Sequence, residues 1–237
     1  MSSPFNAVKA CVFDAYGTLL DFNSAAAQAQ DVLGDRAAVL SDLWRSKQIQ
    51  YTWLRSLMGT YVPFWQVTGE ALDFALEALQ IDDSTLRSRL MESYQRLAAF
   101  PDAIPALRAL RAQGFITAVL TNGSPEMILA GCQHAGLSDS LNCILSVDEV
   151  GVFKPHPRVY ELAEDRLDVR REQIAFVSSN AWDAAGAAQF GFRVAWCNRY
   201  NQRPENIPGR PHAVIGSLAE LPRLFRESGA SPERQSP

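Results

Sequence analysis

Short apolar runs, set far apart and separated by stretches of helical periodicity, constrain this chain more than any other feature. They are Val8–Phe13, Ile116–Leu120, Cys143–Val147, Ile174–Val177, Val194–Cys197 and Ala213–Ile215. Most are rich in β-branched residues and show no polar alternation, which is how strands buried on both faces of a parallel sheet read. Helical patterns lie between the later runs. One opens at Ser124-Pro125, with proline at the first helical position, and stops near Gly136. Others cover Arg158–Leu167 and Ala184–Phe190. Strand and helix in alternation predict an α/β fold with a doubly wound, Rossmann-like parallel sheet.

Residues 22–98 break that rhythm. No strand pattern occurs there, only helical stretches at Ser24–Leu33, Ser41–Met58, Glu70–Gln80 and Ser84–Ala98. This predicts a helical cap domain over 22–98, inserted into a core made of 1–21 and 99–226, with Phe100-Pro101-Asp102 marking the return. The polar end, 227–237, reads as a disordered tail.

Composition excludes several classes. The chain has 237 residues, enough to bury a large core without disulfide or metal staples. With 22 Lys and Arg against 26 Asp and Glu, its net charge of -4 offers no field for nucleic acid. No apolar run reaches the ~18 residues of a membrane span, and Met1–Asn6 lacks a signal-peptide start. No two of the four cysteines form a C-x-x-C pair, and Cys11, Cys143 and Cys197 fall inside apolar runs. A reducing, cytoplasmic setting is expected. No G-x-S-x-G, H-E-x-x-H, P-loop or G-x-G-x-x-G is present.

Open α/β sheets bind ligands at the carboxyl ends of their strands. Four polar clusters sit there: Asp14-Ala15-Tyr16-Gly17-Thr18, Thr121-Asn122-Gly123-Ser124, Lys154-Pro155, and Ser178-Ser179-Asn180-Ala181-Trp182-Asp183. Any one of them could be a turn or a helix cap. In their order and spacing, they resemble the four motifs of the haloacid dehalogenase superfamily, and the resemblance runs from about residue 8 to residue 225. Phosphatases of that superfamily carry a second acid where this chain has Tyr16. A phenol, with a pKa near ~10, is a poor acid at neutral pH. The fourth cluster has Asp183 as its one acid, too few carboxylates for a comfortable magnesium site. A halide leaving group needs neither a proton donor nor a metal. The pattern resembles the L-2-haloacid dehalogenases within the superfamily, as do Leu43-Trp44-Arg45, Phe153-Lys154-Pro155 and Arg158-Val159-Tyr160-Glu161.

That resemblance implies hydrolysis of L-2-haloalkanoic acids to D-2-hydroxy acids, without a metal or cofactor. Asp14 is the implied nucleophile and forms an ester at C2, and Lys154 favours its charged state. Arg45 accepts the halide with help from Asn122. Thr121 and the backbone N–H of Asn122 hold the substrate carboxylate. Thr18 orients Asp14. Tyr160, Ser178, Asn180 and Asp183 form a polar shell around Asp14, Lys154 and a water. Tyr16, Phe64, Trp65 and Trp182 supply apolar walls. The implied partners are a small 2-haloacid, the released halide and a second copy of the chain. Two alternatives use the same cleft: a magnesium-dependent phosphatase of the same superfamily, and a non-catalytic binder of small carboxylates.

Overall fold

A computed structural model describes residues 3–27 and 30–230. Its sheet has six strands: β1 (Ala10–Phe13), β2 (Ile116–Thr121), β3 (Cys143–Ser146), β4 (Ile174–Ser178), β5 (Arg193–Cys197) and β6 (Ala213–Ile215). All neighbours pair in parallel, in the order β3-β2-β1-β4-β5-β6. The central β1 and β4 are buried along their whole length, as their unbroken apolar sequences require.

Ten α-helices complete the described residues. Five lie between β1 and the rest of the core: α1 (Asn23–Ala27), α2 (Gln30–Leu33), α3 (Arg36–Met58), α4 (Phe64–Ala78) and α5 (Ser84–Tyr94). Five more flank the sheet: α6 (Ala103–Ala112), α7 (Pro125–His134), α8 (Pro157–Leu167), α9 (Ala181–Phe190) and α10 (Leu221–Glu227). The helical insert is therefore present where strand patterning was missing. Within it α3 and α4 are tied by a buried bond from Trp44 Nε1 to the Thr68 carbonyl, 2.8 Å long.

The boundaries differ from the sequence reading in instructive places. Helix is described at Asn23–Ala27 and Gln30–Leu33, in the stretch expected to be helical over Ser24–Leu33, and residues 28 and 29 lie outside the described residues. Helix α6 had no counterpart in that reading. Its Pro105 occupies the first turn, where a missing N–H costs no intrahelical bond. The tail expected to be disordered over 227–237 begins inside order. Glu227 ends α10, the Ser228 hydroxyl meets Ser3 Oγ at 2.7 Å, and the Ala230 N–H reaches the Phe225 carbonyl. Residues 231–237 lie outside the described residues.

Strand order reverses at β1. Connections on its two sides run in opposite directions, which opens a crevice beyond the carboxyl ends of β1 and β4. Asp14 continues the pairing by one step, its N–H donating to the Val177 carbonyl at 2.9 Å. The chain then turns back sharply. Gly17 takes a φ of +89°, its N–H meets the Leu20 carbonyl at 2.7 Å, and Leu19 and Leu20 both donate to the Ala15 carbonyl. An L side chain at Gly17 would be strained in that backbone and would press on the Phe22 ring.

Gly186, on α9, marks a second close approach. A Cβ there would lie 2.6 Å from Pro155 Cβ and 2.7 Å from the Tyr160 hydroxyl. Overpacking costs about 1–3 kcal/mol, so Gly186→Ala is expected to lower Tm by roughly 5 °C. Differential scanning calorimetry checks this, and an unchanged Tm would show that Pro155 gives way freely.

Candidate active site

The carboxyl ends of β1 and β4, together with the loops after β2 and β3, bring the four polar clusters together. Asp14 is 7% exposed, and both of its oxygens are held. Oδ1 accepts from Lys154 Nζ at 3.0 Å. Oδ2 accepts from Asn180 Nδ2 at 2.7 Å and from the Thr18 hydroxyl at 3.0 Å. Thr18 in turn accepts from the Ser179 N–H at 2.8 Å. The nucleophile candidate is thus aimed by groups on three separate segments.

Lys154 lies behind it, 1% exposed, with its ammonium also 2.9 Å from Asp183 Oδ2. Burial works against that charge, but the two carboxylates outweigh it and raise the Lys154 pKa. Two carboxylates share one ammonium, which leaves an excess negative charge in the interior. Burial, together with the Asp14 charge, accordingly raises Asp183 to about 6. Tyr160, fully buried, donates its hydroxyl to Asp183 Oδ1 at 2.9 Å. Desolvation keeps that phenol protonated.

Asp14, Tyr16, Arg45, Ile49, Thr52, Phe64, Asn122, Asn180 and Trp182 enclose a cleft with about 10 Å³ of free volume. That is about the space of one water. Arg45 reaches in from α3. Its NH1 donates to Gln48 Oε1 at 2.8 Å, while NH2 lies 3.4 Å from both the Tyr16 carbonyl and Asn180 Oδ1. Its guanidinium also faces the Phe22 ring at 4.9 Å. Asn122 Oδ1 accepts from the Lys154 N–H at 3.0 Å, so its amide N–H groups are the ones left for other partners. The Tyr16 ring stacks between Phe64 and Tyr94, and burial pushes its phenol up, keeping it protonated.

Not every expected residue touches the cleft. Thr121 is fully buried outside its lining and accepts from the Gly123 N–H at 3.0 Å, so its remaining capacity is as a donor. Ser178 exchanges bonds with the Asn180 backbone rather than with Asp14. Trp65 is a correction: it lines an outer groove of the cap with Gln66 and Glu70, away from the cleft. Trp182 is in place and meets Trp53 of the cap edge-on at 5.4 Å. Ile49 and Thr52 were missed. Their signal was helical spacing, since both lie one to two turns after Arg45 on α3.

Among the described residues, no group of three or more His, Cys, Asp or Glu side chains is placed to hold a metal ion. The cation shared by the buried carboxylates is an ammonium. A buried Asp–Lys pair at the switch point of a parallel sheet, beside a helical insert, defines a capped α/β enzyme. A family model described as haloacid dehalogenase-like hydrolase matches residues 8–191. The chain is 49% identical to (S)-2-haloacid dehalogenase 1 of Pseudomonas sp. (strain CBS-3), over 92% of this chain and 96% of that one. It is similar in structure to the L-2-haloacid dehalogenase from Xanthobacter autotrophicus with chloropropionic acid covalently bound. The TM-score is 0.87 at 39% identity, over 92% of this chain and 98% of that one. A crystallised dehalogenase with an intermediate complex gives a TM-score of 0.91 at 44% identity, over 93% and 98%. The chain belongs to the haloacid dehalogenase-like hydrolase family.

The buried charges set a pH dependence. An Asp183 pKa above the usual carboxylate value means that the ionised group costs folding free energy at neutral pH. That cost is relieved as pH falls through about 6, but protonation also removes one acceptor from Lys154. The acid limb of kcat is expected to have its midpoint near pH 6. A pH–rate profile with that midpoint at an ordinary carboxylate value of about 4 would exclude Asp183 as its source.

Proposed function

We propose that this chain hydrolyses L-2-haloalkanoic acids to D-2-hydroxy acids through an ester on Asp14. The observation that carries this reading is the company kept by Asp14. Its carboxyl group is paired with Lys154 and aimed by Thr18 and Asn180 into a nearly dry cleft. Beside it stands a guanidinium whose partners are neutral. A carboxylate stripped of bulk water is a better nucleophile, and a guanidinium is suited to a departing anion.

Asp14 attacks C2 from the side opposite the halide, so the bond to carbon forms as the carbon–halogen bond breaks and the configuration inverts. Arg45 and the outward amide of Asn122 receive the halide. Thr121 and the Asn122 backbone N–H hold the substrate carboxylate. Water then adds to the carbonyl carbon of the ester, not to C2, and the hydroxy acid leaves with Asp14 restored. Lys154, Tyr160, Ser178, Asn180 and Asp183 keep Asp14 and that water in place. Tyr16, Phe64 and Trp182 bound the alkyl group. No metal or cofactor enters this scheme. The cleft is too small for the substrate as it stands, so admission requires Arg45, the Trp53–Trp182 contact or the cap as a whole to shift.

No described helix is long and apolar enough to cross a membrane. All four cysteines are free thiols, which suits a reducing cytoplasm. The exposed end of α3, with Leu57 85% and Met58 64% accessible, supports pairing with a second copy. Leu57→Asp should then shift the protein from dimer to monomer in light scattering, and a wild-type monomer would end that reading.

The central test is halide release from each enantiomer of 2-chloropropanoate with EDTA present. Release from the L-enantiomer alone, with D-lactate as product, is expected. Asp14→Asn should abolish turnover with Tm preserved. Racemic lactate, activity lost to EDTA, or full turnover by Asp14→Asn would each overturn a named part of the mechanism.

A further inference from the structure

Arg45 is the group on which halide departure depends in the proposed function, and the present inference rests on that reading. What aims Arg45 is a separate matter. Its two contacts with the core are 3.4 Å long, at the weak end for a hydrogen bond. Its short contact is to Gln48 Oε1, at 2.8 Å, one helical turn further along α3.

Gln48 is 1% exposed, and both its amide nitrogen and its amide oxygen are engaged. Its Nε2 donates to Thr68 Oγ1 at 2.8 Å. Thr68 spends its one hydroxyl proton on the Phe64 carbonyl, also at 2.8 Å. Thr68 can therefore only accept from Gln48, which must present its nitrogen there and its oxygen on the opposite side. That oxygen receives Arg45 and, at 3.1 Å, the Tyr94 hydroxyl. The chain of donors runs one way, from Arg45 and Tyr94 through Gln48 and Thr68 to a carbonyl at the start of α4. No member can flip without stranding a buried donor, which costs more than the bond itself contributes.

The charge of the acceptor matters as much as its place. Among the described residues, Arg45 makes no ion pair; it donates to two side-chain amides and a backbone carbonyl, and the neutral Tyr94 hydroxyl also lies beside it. A carboxylate at position 48 would neutralise the guanidinium and set a fixed negative charge near the site where halide charge develops. We propose that Gln48, locked by Thr68 and Tyr94, is a positioning residue that holds Arg45 toward the cleft with its positive charge uncompensated. Gln48 touches neither substrate nor halide and acts only through Arg45.

The test compares Gln48→Glu and Gln48→Met with wild type on L-2-chloropropanoate and L-2-bromopropanoate, together with inhibition by free bromide and Tm. Chloride is the poorer leaving group and depends more on Arg45. Both variants should lose about tenfold or more in kcat on the chloro substrate and clearly less on the bromo substrate, with bromide inhibition weakened. Equal losses on both substrates with unchanged bromide inhibition would reduce Gln48 to a packing residue and overturn the proposal. Gln48→Glu, nearly isosteric and still able to bond Arg45, carries the test alone if Gln48→Met does not fold; wild-type kinetics in it also overturn the proposal. Arg45→Lys separates the two levels. If it keeps full activity, the halide role of Arg45 fails; if it is impaired while the Gln48 variants are not, only the present inference fails.

Discussion

The structure is organised around one buried ammonium. Lys154 Nζ lies 3.0 Å from Asp14 and 2.9 Å from Asp183, with almost no exposure to solvent. Removing one partner of such an arrangement costs about 3–5 kcal/mol, because it strands a charge without water or counter-ion. The three groups come from the loop after β3, the end of β1 and the first turn of α9. Their pairing therefore demands correct strand order, the close approach of Pro155 to Gly186, and the Tyr160 hydroxyl beneath Asp183. Fold and site share the same constraint: a sheet built in another order would leave at least one of these charges alone in the interior.

A different kind of control comes from the cap. The core supplies an anionic nucleophile and its counter-charge, and α3 supplies a cation with no anion of its own. Keeping these two cations distinct is what divides the chemistry. Lys154 is bound on both sides by carboxylates and serves the resting charge of Asp14. Arg45 is bound by neutral oxygens, and in the proposed mechanism its charge serves an anion that exists only after the reaction begins. The aromatic and amide groups between them, Tyr16, Phe64, Asn122 and Asn180, exclude water without adding charge.

Much of this was legible beforehand. Asp14, Thr18, Lys154, Asn180 and Asp183 sit at or just after strand ends, where parallel α/β sheets gather polar groups, and the apolar runs located those ends to within one residue. Partners chosen across the cap were harder to read. Trp65 is adjacent to Phe64 in sequence, yet one helical step of about 100° turns it to the outer face of α4. The Thr121 hydroxyl, expected at the ligand, accepts from the Gly123 N–H, so it can face a ligand only as a donor. Gln48 was visible as a neighbour of Arg45 on one helix face. Its significance depends on Thr68 and Tyr94, which belong to α4 and α5.

The amino-acid sequence by itself determined the parallel sheet, the helical insertion after the first strand, the polar residues at each strand end and the tyrosine in place of a second acid. Those are matters of local periodicity and residue type, which the chain carries in order. Only the tertiary structure decided which oxygen faces which nitrogen, how the amides of Gln48, Asn122 and Asn180 are turned, and how little space remains above Asp14. Those follow from burial, which removes water as an alternative partner and forces each polar atom to the neighbour that packing brings within reach.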